Sequence, residues 1–240
     1  INITNIYLGN VKTDFSHSIA SFSSNFINIQ NLTAINVLSQ VNVAVIDLTA
    51  VNVTINNSYF FNVSAPYSTS GGLLNIGFKG YSQLQELIVT NTFIQESVGY
   101  FGSVFYIMSG LFNIFMDNCT FINNPGTDRG VIYMNEVTAS SFLVSRVSVT
   151  MTSLALSGSW FYMKEVVGLF LFTNITVTVQ SKVPGSLIQV TSSPYANITV
   201  QDITITSLNY TTPQLTEELK LPTASSIASE EINKFSFATL

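Results

Sequence analysis

The sequence predicts an all-β chain wound as a parallel β-helix of about eight coils, three short strands to the coil, over residues 1–212, with a short C-terminal arm over 213–240. Three observations predict it. A polar, turn-forming residue returns every 26–28 residues over most of the chain. Apolar residues alternate with polar ones on both sides of it. A third apolar strand precedes each such pair.

The recurring residue is Asn5, Asn31, Asn57, Thr90, Asn118, Arg146, Asn174 and Asp202, with steps of 26, 26, 33, 28, 28, 28 and 28 residues. Two residues before it the side chain is always apolar, as at Ile3, Ile29, Ile55, Met116 and Phe172. Three residues after it the same holds, as at Leu8, Phe60, Phe121, Val149 and Ile205. Four residues before, Glu86 is the one exception to an apolar side chain, and one residue after the side chain is apolar or small except at Asn91. Alternation of period two marks strands with one buried face. The apolar phase jumps from two before to one after, so a single residue must bend the chain while both arms keep facing inward. Asn tolerates the left-handed backbone that such a bend needs. Asn5, Asn31, Asn57, Asn118 and Asn174 are therefore expected to stack as a ladder.

The third strand is read at Gly71–Phe78, Gly102–Met108, Arg129–Asn135, Gly158–Lys164 and Gly185–Thr191. The 33-residue step is assigned to a longer loop, "SAPYSTSGG". A period of coil length separates this pattern from a β-sandwich, whose turns recur every 8–12 residues or so.

Composition agrees. Apolar residues make up 47% of the chain and charged ones 9%. The apolar runs are three to five residues long, rich in Ile, Val and Phe, and broken by Asn, Ser and Thr, which is a β composition. None approaches the roughly eighteen residues of a spanning helix, so no membrane span is expected. A net charge of −5 with eight Lys and Arg argues against nucleic acid as partner. The single cysteine, Cys119, excludes an intramolecular disulfide and a Cys-based zinc site and is expected to point inward as a small apolar filler. No signal peptide is visible, so the chain reads as a mature chain or an excised piece. The start carries no cap, which points to upstream coils or end-to-end contact. The arm, "TPQLTEELKLP" and "SSIASEEINKF", carries helix-start signals at Thr212 and Ser229 and is expected as two short helices or an irregular arm. Its place would be over the C-terminal end, or on a neighbour through "FSFATL".

With these motifs the chain resembles the right-handed parallel β-helix class typified by pectate lyases, which carries an asparagine ladder at the turn between its second and third strands. The match covers about residues 1–210. "FINN" at Phe121–Asn124 and "GGLL" at Gly71–Leu74 are similar to the FxxN and GGA[ILV] motifs of large secreted surface proteins, and ciliate cell-surface proteins carry comparable "NCTFxNN" repeats. The resemblance, with the crossover rule, implies right-handed winding. It also implies what an enzyme of the class would need: clustered Asp and Glu holding Ca²⁺ with a basic residue, or several Asp on adjacent coils with a His.

The candidates for such chemistry are scattered. Asp14, Asp47, Asp117, Asp128 and Asp202 occupy different coil positions, the only His is His17, and the only Arg are Arg129 and Arg146. Glu136 and Glu165, at similar places on consecutive coils, are the best acidic pair for glycoside hydrolysis, with Lys164 beside them. The plain reading makes both of them solvated strand ends, so no catalytic residue, metal or cofactor is expected. If Phe105, Ile132 and Phe161 point inward, then Tyr106, Tyr133, Trp160 and Tyr162 form an outward aromatic stripe. A second protomer or domain, the chain's own tail or a sugar chain would cover it.

Nine N-x-Ser/Thr sequons occur, at Asn2, Asn31, Asn52, Asn56, Asn62, Asn118, Asn174, Asn197 and Asn209. Asn31, Asn118 and Asn174 are ladder positions and are set aside on the premise that ladder side chains are buried. Asn2, Asn52, Asn56, Asn62, Asn197 and Asn209 are expected to carry N-glycans if the chain is secreted in a eukaryote. The expectation is a non-enzymatic extracellular or cell-surface module of a coat or fibre, self-associating or joined to neighbouring domains of a longer protein. Its rivals are a lyase or hydrolase of acidic polysaccharide and a carbohydrate-binding module.

Overall fold

The computed structural model describes residues 1–13, 18–39, 44–66, 72–78, 84–125, 130–151, 159–179, 186–207, 225–228 and 234–239. It is all-β, a parallel β-solenoid of about six turns. The eight recurrences seen in the sequence are eight passages through one bend. They enclose slightly fewer turns than the eight coils expected.

Three sheets run the length of the solenoid. The entry sheet leads into the bend and begins with Asn2–Thr4, Phe26–Gln30, Asn52–Asn56 and Leu84–Thr90, paired parallel in register. The exit sheet leads away from it through Tyr7–Thr13, Thr33–Ser39, Tyr59–Ser64, Phe93–Gln95 and Thr120–Ile122. The third sheet holds Ala20–Ser23, Ile46–Ala50, Leu74–Phe78, Ser159–Lys164 and Ser186–Thr191. Farther along, the strands lengthen and round the corners without a break: Phe105–Asp117 and Ile132–Met151 each serve more than one sheet.

The bend has the predicted backbone. Asn5, Asn31, Asn57, Asn91, Asn118, Arg146, Asn174 and Asp202 all have φ between 49° and 56°. The fourth is Asn91 and not Thr90. With Asn91 in place, both exceptions disappear, because Leu87 stands four before and Thr92 one after, and each is buried. Asn31 Nδ2 donates to Asn5 Oδ1 at 2.9 Å and Asn118 Nδ2 to Asn91 Oδ1 at 2.7 Å. At the long step the rung slips by one residue: Asn91 Nδ2 donates to Asn56 Oδ1 at 3.1 Å. The ladder side chains are exposed at the corner, not buried as supposed.

A second bend, unforeseen, follows five residues later. Asn10, Asn36, Asn62, Glu96 and Asn123 have φ of 51–56°. Here Asn36 Nδ2 donates to Asn10 Oδ1 at 3.1 Å and Asn62 Nδ2 to Asn36 Oδ1 at 3.0 Å.

The extra length of the long step is also relocated. Ile46 pairs with Leu74 and Asn52 with Glu86, so six residues on one coil face twelve on the next. The insertion therefore falls mainly between Phe78 and Leu84, not in "SAPYSTSGG".

One continuous core fills the solenoid, with Ile29, Ile55, Phe60, Phe105, Phe112, Phe121, Phe161 and Phe172 all essentially inaccessible. Each such side chain contributes about 1.5–3 kcal/mol before entropy is subtracted. Asn124, the last residue of "FINN", is buried and knits two coils: it accepts from the Ser97 amide at 2.8 Å and donates to the Ile94 carbonyl at 3.0 Å. Glycine before the third strand has a steric cause. At Gly102 (φ 63°) and Gly130 (φ 84°) a Cβ would lie 2.2 Å from the carbonyl oxygens of Phe105 and Ser159.

The arm is corrected from helix to strand where it is described. Lys234–Thr239 pairs antiparallel with Ser186–Thr191, and Ser225–Ala228 with Asn197–Val200. Both pairings cover N–H and C=O groups along the last coil's edges, while Thr212, Ser229 and the stretch "TPQLTEELKLP" lie outside the described residues.

Replacing Asn118 tests the bend. Asn118→Ala is expected to destabilise by about 1–2 kcal/mol, since an ordinary L residue pays that for the left-handed region. Asn118→Gly should lose less, although it removes the same rung, as read from urea-unfolding midpoints.

Candidate functional site

The described aspartates stand on three different elements: Asp47 on the third sheet, Asp117 at the end of an entry strand, and Asp202 at the bend. Asp14, His17, Asp128, Arg129 and the sequon residue Asn209 lie outside the described residues. Asn75 Nδ2 donates to Asp47 Oδ1 at 2.8 Å.

Asp117 and Arg146 form the most developed charged cluster. Arg146 takes the bend position where most coils have Asn, and its guanidinium reaches back one coil. Nε donates to Asp117 Oδ1 at 2.8 Å and Nη2 donates to Oδ2, a two-pronged grip. Ser145 Oγ donates to the same Oδ1 at 2.6 Å. The Arg146 hydrogen bond foremost holds the Asp117 carboxyl below its usual range, with burial opposing and Ser145 assisting. The cluster continues the ladder with charges in place of amides, and both oxygens of the acid are already engaged.

Glu136 and Glu165 occupy a third corner, between the third and entry sheets, with φ of 57° and 54°. Both are exposed. Asn135 Nδ2 donates to Glu136 Oε1 at 3.1 Å, and Lys164 Nζ lies 2.9 Å from Glu165 Oε1. Each acid is thus tied to its own chain neighbour. Among the described residues no group of three or more His, Cys, Asp or Glu could hold a metal ion. No helix there is long and apolar enough to cross a membrane. Cys119 is buried, its Sγ 3.4 Å from the Asp117 carbonyl oxygen, and burial pushes the thiol up to about 11.

The aromatic stripe differs from expectation. Trp160 is inaccessible: it meets Phe121 of the exit sheet edge-on at 5.9 Å and Phe161 at 4.8 Å. It is the second residue of the strand Ser159–Lys164, at the corner where the chain enters the third sheet. There two successive residues are buried, as also at Val104–Phe105, Val131–Ile132 and Leu187–Ile188. Strict alternation had placed it outside. Tyr106, Tyr133 and Tyr162 do form a column, with ring centroids 5.3 and 5.5 Å apart. It is not bare, because Phe101 lies against Tyr106 and Tyr133 at 6.5 and 5.9 Å. Only Tyr162 remains half-buried.

Of the sequons, Asn2, Asn62 and Asn197 are exposed, and Asn52 and Asn56 are half-buried. Asn56 Oδ1 also accepts from Thr90 Oγ1 at 2.9 Å. Asn31, Asn118 and Asn174 are exposed too, so burial no longer sets them apart.

Two concavities were not foreseen. One of about 430 Å³ lies at the first coils and is lined by Ile1, Ile3, Leu8, Phe22 and Ile29. Another of about 470 Å³ runs along the entry sheet beside Phe142, Leu169, Leu171 and Thr199. Their linings are apolar or neutral, and the side chains they gather are suited to contact rather than proton transfer.

Comparison with protein-family models, with curated proteins and with solved structures finds no match.

The ion pair has a pH signature. Asp117 has a lowered pKa in the folded state, so its contribution is full above the unfolded value of about 3.8 and is lost as pH falls through the folded value. The stability advantage of the native chain over Arg146→Met should therefore be present at neutral pH. It should shrink as pH drops below about 3.8, followed by thermal unfolding across a pH series.

Proposed function

We propose that this chain is a non-enzymatic structural or adhesive module of an extracellular coat or fibre, N-glycosylated, and self-associating or joined to neighbouring domains. We place it in the right-handed, pectin-lyase-like class of β-helix, akin to the repeats of secreted surface proteins. The winding hand follows from the crossover preference of parallel strands.

One observation carries the reading. Among the described residues, Asp47, Asp117, Glu136, Arg146 and Glu165, groups of the kind an enzyme of this class would deploy, are used to hold one coil to the next or to a chain neighbour. Asp117 clamps Arg146 of the following coil, Asp47 binds Asn75 of the following coil, and Glu165 pairs with Lys164. The ladder amides bond along the axis in the same way. Chemistry spent on axial cohesion suits a mechanical part. Such a solenoid transmits load through stacked coils, each contacting only its neighbours. The sequon asparagines Asn2, Asn52, Asn56, Asn62, Asn197 and Asn209 would then dress the rod with sugar.

The test uses chain secreted from a eukaryotic host. Glycopeptide mapping should find glycan at some of these six asparagines. The same material, incubated with polygalacturonate with and without Ca²⁺, should release no unsaturated product and no new reducing ends. Product formation that survives repurification would overturn the structural reading.

A further inference from the structure

The outward side chains of the exit sheet stand two and four residues after the bend and stack in two columns through every coil. Neither column contains a charged side chain. Their two ends differ in chemistry. Toward the N-terminal coils the first column carries rings. Tyr7 is 65% exposed, and Tyr59 stacks on Phe93 with centroids 5.2 Å apart and planes 17° from parallel. Toward the C-terminal coils both columns carry hydroxyls: Ser148, Thr176 and Thr204 in one, Thr150, Thr178 and Thr206 in the other.

Tyr7 has a feature that a merely solvated residue would lack. The neighbouring outward position on its own strand is Gly9, and a Cβ there would lie 2.6 Å from the Tyr7 ring and its hydroxyl oxygen. The ring therefore lies down across the strand, in space that only glycine leaves free, with much of its surface open to solvent.

We propose that this face binds a neutral polysaccharide laid along the solenoid axis. Sugar C–H faces pack on the exposed rings, an apolar body with a polar rim meeting its like. Sugar hydroxyls exchange hydrogen bonds with Ser and Thr hydroxyls, which both donate and accept. Charge decides the class of polymer: an uncharged strip offers no cation to an acidic chain and imposes no repulsion on a neutral one. Regular ranks of side chains, repeating once per coil, suit a ligand that is itself periodic. The inference rests on the adhesive reading above and names the ligand and the face that does the adhering.

Affinity electrophoresis of the full chain tests it, in gels cast with hydroxyethyl cellulose, galactomannan, dextran or polygalacturonate. Retardation is expected in at least one neutral gel and not in polygalacturonate. Tyr7→Ala and Tyr59→Ala should each weaken it by roughly five- to tenfold. The double change Thr176→Val with Thr204→Val should weaken it by roughly three- to tenfold. Tyr195→Ala removes a ring that is 73% exposed on a turn away from this face and should change nothing. Unchanged unfolding midpoints certify the variants. Absence of retardation in every neutral gel overturns the proposal, as does equal retardation in polygalacturonate or indifference to Tyr7→Ala and Tyr59→Ala. Those outcomes leave the non-enzymatic reading standing. Product release from polygalacturonate strikes that reading and leaves the binding face standing.

Discussion

One constraint organises this molecule: once per coil the backbone must turn through the left-handed region at a single residue without losing the inward direction of the strands on either side. Eight residues satisfy it with nearly the same φ. Six are Asn, whose short amide tolerates that conformation and, at Asn31, Asn91 and Asn118, also reaches the neighbouring coil. Where Arg146 takes the place, the penalty of an ordinary L residue is met by its two-pronged hold on Asp117 one coil below. The bend fixes register, register aligns the columns, and the columns make the core continuous.

From that alignment the energetics follow. Inward residues of successive coils fall on one another, so Phe142 meets Phe161, Phe170 and Phe172 from neighbouring strands at 5.0–5.9 Å. The same stacking that buries phenylalanines inside lines up amides at the corners and hydroxyls on the exit sheet. Parallel strands present the same groups at each coil, so any chemistry placed once is offered repeatedly. The last coil alone would leave sheet edges open, and the antiparallel pairings of Ser225–Ala228 and Lys234–Thr239 cover part of them.

The period, the two flanking strands and the third strand were all legible in the sequence, because each depends on local alternation. The one-residue error at Thr90 was legible as well: Glu86 and Asn91 broke the apolar pattern, and moving to Asn91 repairs both. Trp160 was not legible. A corner directs two successive side chains inward, and strict alternation cannot express that. The second Asn column was hidden because Asn10, Asn36 and Asn62 look like ordinary outward polar residues of a strand. The terminal strands were hidden because their pairing is antiparallel and comes from far along the chain. For the site, sequence reasoning found the acids but not their partners. It had the grouping of Asp117 with Arg146, 29 residues apart, within reach, since both sit at or next to the bend position of adjacent coils. It missed the face around Tyr7, whose signal was a glycine two residues on.

Every feature of the fold depends on coils stacked in register at one strand spacing. Spin labels in a Cys119→Ala background measure that directly, with one label at Thr33 and the other in turn at Thr120, Ser148, Thr176 and Thr204, all in one column. From each to the next the electron–electron distance should rise by about 4.8 Å, the spacing of paired strands. Distances that rise unevenly, or that fail to rise between successive positions, would contradict the stacked solenoid.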